Sequence, residues 1–385
     1  MTGDKKFMTK DNEYVPDYDQ KVLLLQGGGA LGAYQGGAYE ALAASNHRPD
    51  WLIGVSIGSI TASIIAGNVP ENRVARLQEF WQRITAPTAS LLLSSNVTPL
   101  EQGIGAASAV LGGLPSFFRP WQPLDWLTKS PTSFYDTSAL KQTLHELIDF
   151  DLLNSGHVRL SLGAVHVESG NNLYFDTSQM KIRAEHVMAS GALPPGFPAV
   201  CIDGEAYWDG GVVSNTPLTY FMEHQPRRNS LVFQVDLFPA RGKLPTTLDE
   251  VGEREKDIRY SSRTRAVTRA EARQQNLRRQ AAAFLEKLPA ELRNDSLARH
   301  MNAFACPARV DLVHLIYRPN APQGSQKDFQ FGRATYKQRW LQGHEDAQRV
   351  IAAAPWRTPY PEAVGMRTFD IFDKQHTSRG PQDEH

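Results

Sequence analysis

The sequence predicts an α/β protein with a mostly parallel central sheet and an α-rich extension toward the C-terminus. Three observations predict it. Through the first seventy residues, short apolar runs alternate with segments of helical periodicity. Those runs are continuously apolar, as strands covered on both faces are. After about residue 240 the composition turns charged and helical.

The elements follow in order. Lys21–Gln26 is an apolar run bounded by glycines and reads as a buried strand. Ala30–Ser45 places Leu31, Tyr34, Ala38, Ala41 and Leu42 at helical spacing and stops at Asn46 and Pro49. Trp51–Val55 is the second strand, and Ile57–Gly67 an apolar helix ended by Gly67-Asn68. Residues 84–135 form a Pro/Gly/aromatic insertion with Phe117, Phe118, Trp121 and Trp126, for which a lid or lipid-facing surface competes with ordinary core packing. Val158–Glu168, Leu173–Asp176, Ala206–Asp209 and Leu231–Leu237 read as strands, with a short helix at Glu185–Ser190. Residues 252–299 read as helical, carrying Arg265, Arg269 and Arg273 at i, i+4 spacing, and the Arg259–Arg279 stripe reads as a solvated face or a contact for anionic lipid headgroups. Val310–Tyr317 returns as a strand and Thr335–Ala353 as an amphipathic helix. The expected organisation is therefore a polar tail over 1–20, a first domain over 21–240, a charged helical region over 241–355, and a polar, loosely held tail over 356–385.

Composition excludes some classes. Of 385 residues, 41 are Lys or Arg and 41 Asp or Glu, so no chain-wide cationic field exists and no nucleic-acid partner is expected. Cys201 and Cys306 cannot make a disulfide framework and fit a reducing compartment. The N-terminus lacks the apolar stretch of a signal peptide, and no run of about 20 apolar residues suggests a span. The uncharged stretches Ile84–Leu100 and Gln102–Phe118 are broken by Gly, Pro, Ser and Thr. A cytoplasmic location is expected. No metal is expected either, for lack of clustered Cys/His spacing.

Three motifs carry chemistry. Gly54-Val55-Ser56-Ile57-Gly58 is a G-x-S-x-G between an apolar strand and an apolar helix. That context lifts the Ser56 hydroxyl clear of its backbone, and the glycines admit the tight turn. Gly27-Gly28-Gly29-Ala30-Leu31-Gly32 follows the first strand. It reads either as a dinucleotide loop or as an oxyanion hole in which N–H groups converge on one oxygen. A dinucleotide site wants an acid at the end of the second strand; Asp50 precedes that strand, and Ser56 stands at its end. Acyl transfer therefore suits the pair of loops better. Asp209-Gly210-Gly211 is a turn by composition, but it supplies a carboxylate base that glycines let approach closely. His47, His145, His157, His166, His186, His224, His300 and His314 present no obvious partner for Ser56, which leaves a Ser–Asp pair without histidine.

These motifs, with Ala189-Ser190-Gly191-Ala192-Leu193-Pro194, occur in the order seen in patatin-like phospholipases, and the resemblance covers about residues 21–220. It implies a three-layer α/β/α fold and a Ser–Asp dyad that hydrolyses lipid acyl esters without a cofactor. Ser56 would be the nucleophile and Asp209 the general base. Backbone around Gly27, Gly28, Gly29 and Ala30 would form the oxyanion hole, and Ala189–Pro194 would shape the site wall. Many members carry Arg or Lys where this chain has Leu31, which weakens the expectation of a phosphate-headgroup preference. The implied partner is a lipid or other acyl ester, met at a lipid surface. Two alternatives stand beside this reading: a non-catalytic lipid- or granule-surface binding protein, and a nucleotide-binding oxidoreductase.

Overall fold

The computed structural model describes residues 15–85, 112–128 and 130–373. Most of the two uncharged stretches before Phe118 lies outside the described residues, as do most of the N-terminal tail and the last residues of the chain.

The centre is a nine-stranded sheet in the order β11-β10-β9-β1-β2-β5-β8-β7, with β6 also paired to β5. Its parallel part is formed by β1 (Gln20–Leu25), β2 (Trp51–Val55), β5 (Arg159–His166), β9 (Ser230–Asp236), β10 (Val310–Ile316) and β11 (Met366–Phe369). β6 (Asn172–Asp176) and β8 (Glu205–Asp209) run antiparallel to β5, and β7 (Val200–Ile202) antiparallel to β8. Arg119–Pro120 and Tyr135–Asp136 (β3 and β4) make a separate two-stranded ribbon.

The alternation of side chains across a strand divides the core into two layers. Leu23 and Leu25 face one side with α1 (Ala33–Ala43), α2 (Ile57–Ala66) and α3 (Arg73–Ile84). Val22 and Leu24 face the other with Trp51, Phe221 and Met222, and Val267 and Ala272 of the long helix Leu248–Glu286 pack there too. Helices on both faces of a mostly parallel sheet make the three-layer α/β/α architecture, with further helices toward the C-terminus. Arg265, Arg269 and Arg273 are exposed on the long helix.

The structure bears on three expectations. The 356–385 segment is not a loose tail throughout. Trp356 is buried against His47 and Phe233, and Met366–Phe369 pairs with β10, because an unfilled sheet edge beside an apolar pocket favours one more strand. Of the two readings of the 84–135 insertion, ordinary packing holds for Phe117 and Phe118, which are buried against Phe80, Phe197 and Phe331, while Trp126 and Phe134 are exposed. The helix expected from Ala30 begins as a single 3-10 turn at Gly29–Gly32 before α1.

Candidate active site

β2 is buried at every position and leads straight into α2, whose residues are all buried. The turn between them leaves no room for side chains. A Cβ at Gly54 would collide with the Gly58 carbonyl, and one at Gly58 with the backbone of Leu25. Ser56 takes the left-handed backbone that the turn requires, at φ 57, a conformation that costs a non-glycine residue about 1–3 kcal/mol. Its amide donates to the backbone carbonyl of Ser190 at 3.1 Å and to the Ser190 hydroxyl at 3.2 Å. The Ser190 hydroxyl in turn donates to the Gly163 carbonyl on β5 at 2.6 Å. The Ala189–Pro194 segment thus ties the bend to the sheet.

Sheet topology brings the carboxylate to the serine. β6 occupies one edge of β5. The other edge is shared: β2 pairs with Arg159 to Gly163, and β8 pairs, antiparallel, from His166 back to Ala164. β2 and β8 therefore run head-on toward one point, where Val55 stands opposite Gly163 and Asp209 opposite Ala164. The next residue after β2 is Ser56. Asp209 is held by its own amide, which donates to the Ala192 carbonyl at 3.0 Å, and its Oδ1 accepts the Gly211 amide at 2.7 Å. Gly210 fits only because it has no side chain to strike the Gly163 carbonyl.

The Asp209 carboxyl is 1% exposed, and Oδ2 has no aligned donor among the described residues. Burial pushes its pKa from 3.8 to about 7, and the nearby Ser56 hydroxyl and the Gly211 amide offset that only in part. Ser56 is thus near enough to favour the charged carboxylate without forming a hydrogen bond of ordinary geometry, as is common in a site without substrate.

The glycine loop faces the same space. Asn215 clasps its first residue: the Asn215 side chain donates to the Gly27 carbonyl at 3.0 Å, and the Gly27 amide donates to the Asn215 carbonyl at 3.4 Å. The Gly27 amide is thereby engaged, which corrects its inclusion among free oxyanion donors. Among the described residues the amides of Gly28 and Gly29 meet no acceptor. Gly29 has φ 55 and its α-carbon lies against the Asp328 carbonyl, so a side chain fits there neither by backbone nor by space. Ala30 and Gly32 are buried in the 3-10 turn, and Leu31 points into the apolar core, fully buried and away from the cleft.

Ser56, Asp209, Gly27, Gly28, Gly29 and Gly211 open on one cleft of about 750 Å³, its open mouth included. Its walls are aromatic: Phe117, Phe118, Phe197, Phe238, Phe329 and Phe331. Asn215, Tyr260 and Asp328 also line it and had no sequence signal beyond the polar Ser214–Pro217 turn after the Asp-Gly-Gly motif. Tyr260 stacks at a tilt on Phe238, 4.6 Å between centroids. No described histidine lines the cleft. His186 accepts the Arg183 amide, and His314 bonds Asp236. Among the described residues no three His, Cys, Asp or Glu side chains gather as a metal site. Asp50 receives the Lys21 amide at the start of β2, the opposite end of that strand from the glycine loop, so the acid needed for a dinucleotide ribose is not beside it.

A family model described as patatin-like phospholipase matches residues 23–222, and one described as patatin phospholipase matches 258–363. The first spans just over half the chain, and the chain belongs to the patatin-like phospholipase family. A search of curated proteins gave no match. Among solved structures, VipD from Legionella pneumophila is 14% identical, with a TM-score of 0.39, over 90% of this chain and 69% of that one. The ExoU–SpcU complex from the type III secretion system of Pseudomonas aeruginosa is 17% identical, with a TM-score of 0.28, over 74% of this chain and 65% of that one. Neither overlap is close enough to bear on the chemistry. The family supports a lipid hydrolase. Among the described residues no helix is long and apolar enough to cross a membrane.

Proposed function

We propose that the protein hydrolyses acyl esters of lipids through Ser56 and Asp209 by way of an acyl-enzyme. The observation that carries this reading is the head-on meeting of β2 and β8, which aims a strained serine and a buried, proton-hungry carboxylate at one point. An ordinary aspartate is too weak a base at neutral pH; one with a pKa of about 7 is matched to the task. Asp209 takes the Ser56 proton as the serine oxygen attacks the ester carbonyl. The Gly28 and Gly29 amides hold the resulting oxyanion, each such donor being worth about 3–4 kcal/mol of barrier. The intermediate collapses, the alcohol leaves with the proton from Asp209, and the acyl group stays on Ser56. Water then gives a proton to Asp209 and attacks the acyl-serine; the acid leaves and Ser56 recovers its proton.

The phenylalanine walls suit an apolar acyl chain. Exposed Leu193, Val212, Val213 and Phe134 stand on segments beside the cleft and fit contact with a lipid surface, from which a cytoplasmic enzyme would draw its substrate. The test is labelling by a fluorophosphonate and hydrolysis of a p-nitrophenyl ester: both are expected in the native protein and absent in Ser56→Ala. Unchanged turnover by that variant would rule the reading out.

A further inference from the structure

The charges of the cleft speak to the headgroup of the substrate. Among its described lining residues there is no Lys or Arg; the charged ones are Asp209 and Asp328, both acidic.

The cations on neighbouring segments are engaged. Lys256 of the long helix donates to Asp328 Oδ1 at 2.6 Å and to the Ser325 carbonyl at 2.7 Å. Lys327, next to Asp328, is fully buried behind the Phe238 ring, 5.8 Å from its centroid, and is held by Asp257 at 2.5 Å and Glu253 at 3.3 Å. Arg254 donates to the carbonyls of Pro239 and Ala240, and Arg263 to the carbonyl of Val213 outside the cleft lining. The Asp328 backbone packs on Gly29, which sets its β-carbon beside the glycine loop, and Lys256 holds its carboxyl.

We infer that the cleft takes uncharged carboxylic esters of apolar acyl chains, acylglycerol-like in chemistry, and disfavours esters with an anionic phosphate headgroup, with Asp328 as a specificity-determining residue. The inference rests on the proposed hydrolase reading and adds the substrate class. A phosphate entering this cleft leaves water, meets no cation among the described lining residues, and faces the Asp209 carboxyl and an Asp328 carboxylate that already holds Lys256. Each of these disfavours it. An uncharged glyceryl ester meets the same walls without that opposition, and its hydroxyls have Asn215, Tyr260 and Asp328 as polar partners.

The experiment compares dioleoylglycerol with dioleoylphosphatidylglycerol, matched in acyl chains, in micelles of one nonionic detergent. The expected kcat/KM is about 10-fold or more higher for the diacylglycerol, a lower bound on taking a charged group out of water into a site with no counter-charge to receive it. The ratio should shrink as ionic strength rises, because salt screens the repulsion. Asp328→Asn leaves Lys256 uncompensated and should shrink it further at low salt. Salt dependence in the native protein tests the same claim even if that variant does not fold. Equal or faster turnover of phosphatidylglycerol would overturn the inference, as would a ratio that neither salt nor a folded Asp328→Asn moves. Equal turnover that falls in Arg263→Gln would place a headgroup contact at the rim instead, and would also overturn it. Turnover of both lipids that disappears in Ser56→Ala leaves the hydrolase reading standing in any of these cases. Failure to hydrolyse any ester, p-nitrophenyl esters included, would remove both.

Discussion

Two buried aspartates pair with the two edges of β5, and they differ in almost every respect except burial. Asp176 stands opposite Ser161 on the β6 edge, and Asp209 opposite Ala164 on the β8 edge; each is 1% exposed. Asp176 is saturated with donors. Arg159 reaches it at 2.8 Å, Ser161 at 2.5 Å, Tyr220 at 2.8 Å, and Ser178 through both amide and hydroxyl. Burial raises its pKa, but Arg159, Ser161 and Ser178 outweigh burial and bring it to about 2. Asp209 has one aligned donor and an unpartnered oxygen, and stands at about 7. Desolvation is common to both; the number of donors decides the sign. The first corner is built for stability, and the second withholds donors where a proton has to move.

The largest expected effect is on the Asp209 corner. Ser56→Ala should lower kcat/KM for ester hydrolysis by about 10^4-fold or more, read against a fold check by circular dichroism. Asp209→Asn should lower it by about 10^3-fold, the scale of general-base catalysis. That variant should also be more stable than the native protein at pH 8. A carboxyl whose folded pKa lies above its unfolded value binds its proton more tightly in the folded state. Its contribution is full below pH 4 and is lost as pH rises through about 7, a difference of roughly 4 kcal/mol. Denaturant midpoints at pH 5 and pH 8 would check this; a variant less stable at pH 8 would contradict it.

At the other corner the signs reverse. Asp176→Ala should destabilise by about 3–5 kcal/mol, because it strands Arg159 and three hydroxyls in a dry pocket. The fraction that folds should keep native kcat on a soluble ester. A loss of kcat as large as that of Asp209→Asn would erase the contrast. Titration separates the corners again. The kcat/KM of the native protein should fall as pH drops through about 7, when Asp209 gains a proton. Asp176, with its folded pKa lowered, stabilises above pH 4 and loses about 2–3 kcal/mol as pH falls toward 2. The smallest effect is expected on an exposed helix face: Arg265→Ala should change stability by less than about 0.5 kcal/mol.

Much of this contrast lay in local patterns. The strands at 21–26 and 51–55 were readable because parallel strands covered on both faces are apolar throughout, and the helix after Ser56 because a run rich in Ala, Ile and Ser ends at Gly67-Asn68. Ser56 and the glycine loop were readable because a tight turn admits few residue types. Asp209 by itself reads as one aspartate beside two glycines, alike in sequence to any turn, and stood out through the need of Ser56 for a base and the order of the motifs. Asp176 gave no sign of its pKa, since its donors come from β5, from the turn after β6 and from Tyr220, 44 residues on.

Local steric rules therefore set down in the sequence the α/β alternation, the bend at Ser56 and the side-chain-free loop at Gly27 to Gly32. What the folded chain added was long-range. It ran β8 head-on against β2, denied Asp209 a second donor, made β11 from an apparent tail, and set Asp328 behind Gly29 from about 300 residues away. Backbone geometry is a property of neighbours in the chain. Desolvation and donor counts are properties of neighbours in space, and no pattern along the chain encodes them.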